Sequence, residues 1–201
     1  QRSNGATVKH VITELSQICR LAQDAPLQQV QLLSQWASVD AYYKVIICKY
    51  QGIPALIQAM RTFPNHTDLQ AYCCTALSHL NNKLIIHQQK GVDAIIVAMT
   101  NHPNSIAVQS SALEALKLQA LLLQQEPQAV LHQLWPLLEH TKDMYLTPMG
   151  KESALFLFQF LSLQQRQESS LKQTTTDINV DMDATTTTTA TTAMENSSAM
   201  D

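Results

Sequence analysis

The sequence predicts an all-α protein. Three observations carry that expectation: scarce glycine, abundant helix formers, and an apolar pattern of helical spacing that returns at a fixed interval. Of 201 residues only four are Gly, while 23 are Gln. A β-sandwich or barrel of this length needs many tight turns, and an α/β nucleotide fold draws on Gly-rich phosphate loops. Four glycines argue against both, whereas Gln, Leu and Ala favour helices. With 45% apolar residues the chain can bury one or two ordinary cores.

The interval is 39 residues. The segment Gly52-Ile53-Pro54-Ala55-Leu56-Ile57-Gln58-Ala59-Met60 returns as Gly91-Val92-Asp93-Ala94-Ile95-Ile96-Val97-Ala98-Met99. The same offset carries Pro64-Asn65 onto Pro103-Asn104, Leu69-Gln70 onto Val108-Gln109 and Ala76-Leu77 onto Ala115-Leu116. Backward it carries Gln70 onto Gln31, Ala76 onto Ala37 and Asn82–Ile86 onto Tyr43–Ile47; forward it carries Ala115-Leu116 onto Ala154-Leu155 and Met99 onto Leu138. Self-similarity at such a period marks a repeat architecture, here of four units with weaker outer ones.

Each unit reads as three helices. In the second, a short helix covers Tyr43–Tyr50, and Gly52 is expected to turn the chain as the left-handed residue after a helix end. A middle helix follows, with Leu56, Ile57 and Met60 on one face. Pro64 ends it, Phe63–Asp68 forms a loop, and Thr67 or Asp68 is expected to cap the next helix. The third helix is longer, with Leu69, Cys73, Ala76, Leu77 and Leu80 at i, i+4, i+7, i+8 and i+11. The third unit repeats the plan from the short helix Lys83–Gln89 through Gly91 and the Pro103-Asn104 loop. In the fourth, Pro136 is expected to kink or divide its helix. Phe156, Phe158 and Phe160 alternate with leucines there, which makes a segment apolar all round. Solenoid ends expose an apolar face unless capped, so Phe156–Leu163 reads as a cap, with self-association as the alternative.

Composition breaks near Gln167. Residues 1–168 carry 12 basic and 11 acidic side chains; from 169 onward Lys172 faces Asp177, Asp181, Asp183, Glu195 and Asp201 among runs of Thr. Residues 169–201 have too few large apolar side chains to offset ordering entropy, and are expected to be a disordered Thr-rich tail after a helical domain 1–168. A nearly neutral body lacks the basic excess of a nucleic-acid binder. No 18-residue apolar run suits a membrane span and no signal-peptide core is visible. The chain starts at Gln1 without Met, which is read as processing or a fragment. Cys19, Cys48, Cys73 and Cys74 show no CxxC spacing and read as free thiols of a reducing compartment, so a cytoplasmic location is expected, with the nucleus as alternative.

Three helices per repeat of about 40 residues is the armadillo plan. Gly52-Ile53-Pro54-Ala55-Leu56-Ile57 and Ala71-Tyr72-Cys73-Cys74-Thr75-Ala76-Leu77-Ser78-His79-Leu80 resemble that family's repeat opening and third helix, over roughly residues 8–165. The resemblance implies an armadillo-like right-handed α-solenoid of about four repeats, whose third helices line a concave groove that binds a protein segment or extended peptide. Carried by offset, the exposed groove positions are Leu32, Trp36 and Asp40; Ala71, Thr75 and His79; Ser110, Glu114 and Leu118; and Met149, Ser153 and Leu157. Importin-α-type cargo adaptors, which the plan also resembles, place Trp and Asn at the second and third positions of successive repeats. Here Trp36 is alone and is followed by Asp40, and Thr75-His79 and Glu114-Leu118 replace the later pairs, so nuclear-signal recognition is not expected.

Catalytic signatures are absent from the sequence. Neither GxSxG nor GxxxxGK[ST] occurs. The seven His form no HExxH, and His66 and His102, beside the Pro-Asn loops, read as solvated. Asp93, Glu114 and Glu139 are scattered rather than paired for acid–base work. The expectation is a non-enzymatic interaction module without metal or cofactor, binding protein rather than nucleic acid or membrane. The alternative is a regulatory array within a larger signalling protein or enzyme.

Overall fold

The computed structural model describes residues 2–22, 24–80, 82–120, 128–144 and 146–166, and every regular element among them is an α-helix. In order these are α1 (Arg2–Leu21), α2 (Leu27–Val39), α3 (Ala41–Lys49), α4 (Gly52–Thr62), α5 (Thr67–Leu80), α6 (Lys83–Gln88), α7 (Gly91–Asn101), α8 (Ile106–Leu118), α9 (Gln128–Thr141) and α10 (148–166). Two units divide the chain, Gln1–Phe160 and Leu161–Asp201; of the second, residues 161–166 are described and helical. The tail expected at 169–201 lies outside the described residues.

Within the first unit the helices pack in two rows. α5 lies between α2 and α8; α4 lies between α1 and α7, and α7 also meets α9. The short α3 bridges the rows, packing on α1 and α4 of one and on α2 and α5 of the other, whereas α6 packs on α4 and α7. Leu56, Ile57, Leu69, Cys73 and Leu77 are fully buried where α4 meets α5, and the Cys73 thiol donates to Leu56 O across that seam at 3.7 Å. Each such aliphatic side chain removed from water contributes about 1.5–3 kcal/mol, so the apolar stripes rather than helix propensity hold these short helices in place.

Two glycines are used differently from the expectation. The left-handed residues are Gln51 (φ 65) and Lys90 (φ 52), one position earlier, and no described glycine has positive φ. Gly52 and Gly91 instead begin α4 and α7. A Cβ on Gly52 would sit 2.9 Å from Ile47 O and would overlap Ile47 Cγ2; on Gly91 it would sit 3.0 Å from Ile86 O. Close approach of two helix ends, not backbone handedness, requires glycine there.

The Pro-Asn loops are tied by hydrogen bonds that recur at the same 39-residue offset. In a continuous helix Met60 O would accept from residue 64, but Pro64 has no N–H. The buried Gln70 amide replaces it, Nε2 donating to Met60 O and to Phe63 O, both at 2.9 Å. Pro103 leaves Met99 O in the same position, and Gln109 Nε2 donates to Met99 O at 2.8 Å and His102 O at 3.0 Å. In α9 the equivalent Leu138 O accepts from Thr141 Oγ1 at 2.8 Å.

Histidines at the loops are not simply solvated. His102 Nε2 lies 2.9 Å from Pro64 O, and its Nδ1 lies 3.1 Å from Thr67 Oγ1. A carbonyl can only accept, so Nε2 carries the proton and Nδ1 of the neutral ring accepts from Thr67. His140 Nε2 reaches Pro103 O at 3.2 Å in the same manner. His66 supplies the side-chain cap expected of Thr67 or Asp68: the Leu69 N–H donates to its Nδ1 at 3.3 Å. Pro136 does not divide its helix, which runs through it as one element.

Candidate functional site

The surface built by α2, α5 and α8 holds most of the groove positions expected from the sequence. These three helices pack side by side, α5 against both α2 and α8. Trp36, Thr75 and Glu114 are all half-buried. The Trp36 indole stacks on Tyr43 of α3 at 5.9 Å with an 11° interplanar angle, so one face is already covered. Asp40 is exposed and serves α3 as its N-cap, Oδ1 accepting from Tyr42 N at 3.1 Å. Thr75 Oγ1 donates back to Ala71 O at 2.9 Å.

Two ionisable groups on this surface depart from their usual behaviour. Burial, and then the nearby Lys44 charge, holds the His79 imidazole below its usual pKa. Burial pushes the Glu114 carboxyl up, with Lys117 acting weakly against it. Lys117 is committed elsewhere: its Nζ pairs with Glu152 at 2.5 Å and lies 5.8 Å from the Phe156 ring centroid. A half-buried carboxyl without an ion-pair partner among the described residues thus sits in the middle of the surface.

Three groove positions are corrected. Ser110 and Ser153 are 3% and 1% exposed, and Leu157 is fully buried. The cause is the close approach of α8 and α10. Gly150 packs so tightly on Ser110 that an added Cβ would lie 2.8 Å from its hydroxyl, and Ser110 Oγ accepts from Thr147 N at 3.1 Å. Ser153 Oγ is buried without a hydrogen-bond partner. In the fourth unit the exposed row is displaced to neighbouring positions, with Met149 60%, Leu155 61% and Phe156 40% exposed. Leu118 at the end of α8 is 37% exposed. Lys44 and Tyr43, which touch this surface from α3, were not among the expected site residues; they lie on the first helix of a unit, and the offset was applied only to third helices.

A second concavity, of about 650 Å³, opens between α9 and α10 and is lined by Leu138, Leu146, Ala154, Leu155 and Phe158 with Lys142 at its edge. Lys142 Nζ sits 4.1 Å from the Phe158 ring centroid and pairs with Glu139 at 2.6 Å. Among the described residues no three His, Cys, Asp or Glu side chains are grouped to hold a metal ion, and no helix is long and apolar enough to cross a membrane. All four cysteines are free, and Cys19, Cys73 and Cys74 are buried. Set against family models, curated proteins and solved structures, the chain matches none of them.

Proposed function

We propose that the chain is an armadillo-like helical-repeat module that binds a protein segment or extended peptide along α2, α5 and α8 and carries out no chemistry of its own. The observation that supports this most is the row Trp36, Thr75 and Glu114. These residues stand 39 apart, are half-exposed, and lie on three helices packed side by side. The matched Gln70 and Gln109 bonds beneath the loops support a common repeat geometry. Such a row offers an extended chain an aromatic face at Trp36, a hydroxyl at Thr75, an imidazole at His79 and a carboxyl at Glu114, all on rigid helices, which lowers the ordering cost of binding.

Selection from a displayed peptide library against the full chain tests the proposal. Selected peptides should bind Thr75→Arg/Glu114→Arg at least about tenfold more weakly, because two long cations would fill the row. Peptides that bind this variant as tightly as the unaltered chain, with its circular dichroism unchanged, would refute the groove.

A further inference from the structure

The near-neutral charge of the body conceals a segregation. Residues 41–92 hold five basic side chains, Lys44, Lys49, Arg61, Lys83 and Lys90, against the single acid Asp68, whereas residues 93–168 hold seven acids against four bases. Two of those lysines border one cavity. Between α3 and α6 lies a shallow cleft of about 520 Å³ lined by Lys44, Val45, Cys48, Leu80, Asn82 and Lys83. Among the described residues neither Lys44 nor Lys83 has a carboxylate within ion-pair distance. The unneutralised charge is felt nearby, since Lys44 helps to hold the His79 imidazole neutral.

The apolar part of this surface is equally uncovered. Val45 is 67% exposed and Leu84, which follows Lys83, is 65% exposed. Lys44-Val45 and Lys83-Leu84 stand 39 residues apart, so each of two adjacent short helices presents one cation followed by one bare aliphatic side chain. On a lone helix such residues are ordinary surface. Here Lys44, Val45 and Lys83 line one cleft, and the exposed Leu84 follows Lys83 directly in the chain, in its most basic stretch.

We propose that the α3–α6 cleft docks an acidic, aliphatic-bearing segment of a partner protein, with its carboxylates on Lys44 and Lys83 and its apolar side chains on Val45 and Leu84. Charge complementarity selects the acidic partner, since among the described residues no acidic side chain lines the cleft. The exposed aliphatic pair selects a polypeptide over a polyphosphate, which would satisfy the lysines and leave Val45 and Leu84 in water. The cleft is lined from α3 and α6, with Leu80 at the end of α5 at its base.

Fluorescence anisotropy with the full chain tests this, using a labelled eight-residue peptide of alternating aspartate and leucine. The peptide should bind, and binding should weaken with added salt because the lysines are near the surface. Lys44→Glu/Lys83→Glu should bind at least about tenfold more weakly. Val45→Ser/Leu84→Ser should bind several-fold more weakly. The milder Lys44→Gln/Lys83→Gln pair guards against misfolding, with circular dichroism as the check. Failure of the unaltered chain to bind, or equal binding by folded lysine variants, would overturn the proposal. So would tighter binding of a single-stranded oligonucleotide of equal charge that the serine pair leaves unchanged.

Discussion

Gln70→Leu should destabilise the fold by about 2 kcal/mol. Gln70 is 1% exposed, and its amide donates to Met60 O and Phe63 O at 2.9 Å. Leu fills a similar volume without donating, so no large cavity confuses the reading. Met60 O then loses the group that replaces the missing Pro64 N–H, and an orphaned buried carbonyl costs about 1–3 kcal/mol. Phe63 O keeps a bond from His66 N at 3.2 Å, so its loss is nearer the ordinary value of about 1 kcal/mol. The apolar gain of Leu offsets about 1 kcal/mol of the total. For a chain of this size about 2 kcal/mol corresponds to a fall in Tm of about 4–8 °C. Urea denaturation followed by circular dichroism should show a lower midpoint with an unchanged slope. Gln109→Leu should cost less, because Gln109 Oε1 is already buried without a partner and Leu removes that penalty. A Gln70→Leu chain within about 0.5 kcal/mol of the unaltered one would refute the idea that proline, by deleting a donor, created the need for this glutamine.

The helix junction offers two changes of opposite sign at adjacent positions. Gly91→Ala should destabilise by about 1–3 kcal/mol, because its Cβ would crowd Ile86 and Ile57, whereas Lys90→Gly should stabilise by up to about 1 kcal/mol by relieving φ 52; the same denaturation assay reads both. Thiol labelling should be graded. Burial pushes the Cys74 thiol up to about 12 and Cys73 well above its usual value, while Cys48 is half-buried and Asn82 works against its rise. Iodoacetamide should therefore alkylate Cys48 in the native chain and reach Cys73 and Cys74 only in urea, as peptide mass spectrometry would show. Glu114 makes stability depend on pH. Its carboxyl titrates above 4.5 in the fold, so the folded chain holds the proton more tightly than the unfolded one. Stability is therefore favoured below about pH 4.5 and falls as pH rises through the folded value. Glu114→Gln should remove that fall; a parallel decline in both chains as pH rises above about 4.5 would exclude it.

Much of the helix plan was legible because proline and glycine punctuate it. Pro64 and Pro103 located two loops, and the apolar stripes located the helices on each side. The glycine role was misplaced by one residue, since the sequence shows a conformationally free residue but not which neighbour turns left-handed. In Gln51 and Lys90 the chain accepts that strain in order to keep glycine where Ile47 and Ile86 crowd it. The loop bonds had a signal that went unused: a glutamine six residues after each proline, at Gln70 and Gln109. The expected exposed positions were legible only on α2, α5 and the end of α8. The Ser110–Gly150 approach is a contact between helices far apart in sequence, and no periodicity within either helix announces that it buries Ser110 and Ser153.

The histidine links across the Pro-Asn loops bear on how such an array comes apart. Each proline carbonyl is received by an imidazole from a later helix end, Pro64 O by His102 after α7 and Pro103 O by His140 in α9. An array joined by apolar contact alone can fray from its end one unit at a time, its stability being a sum of unit and nearest-neighbour terms. Here release of the end of α7 or of α9 also strips a hydrogen-bond partner from the Pro-Asn loop before it. The loops that look like interruptions in the helical pattern therefore join one helix pair to the next, and they favour melting of the linked helices together.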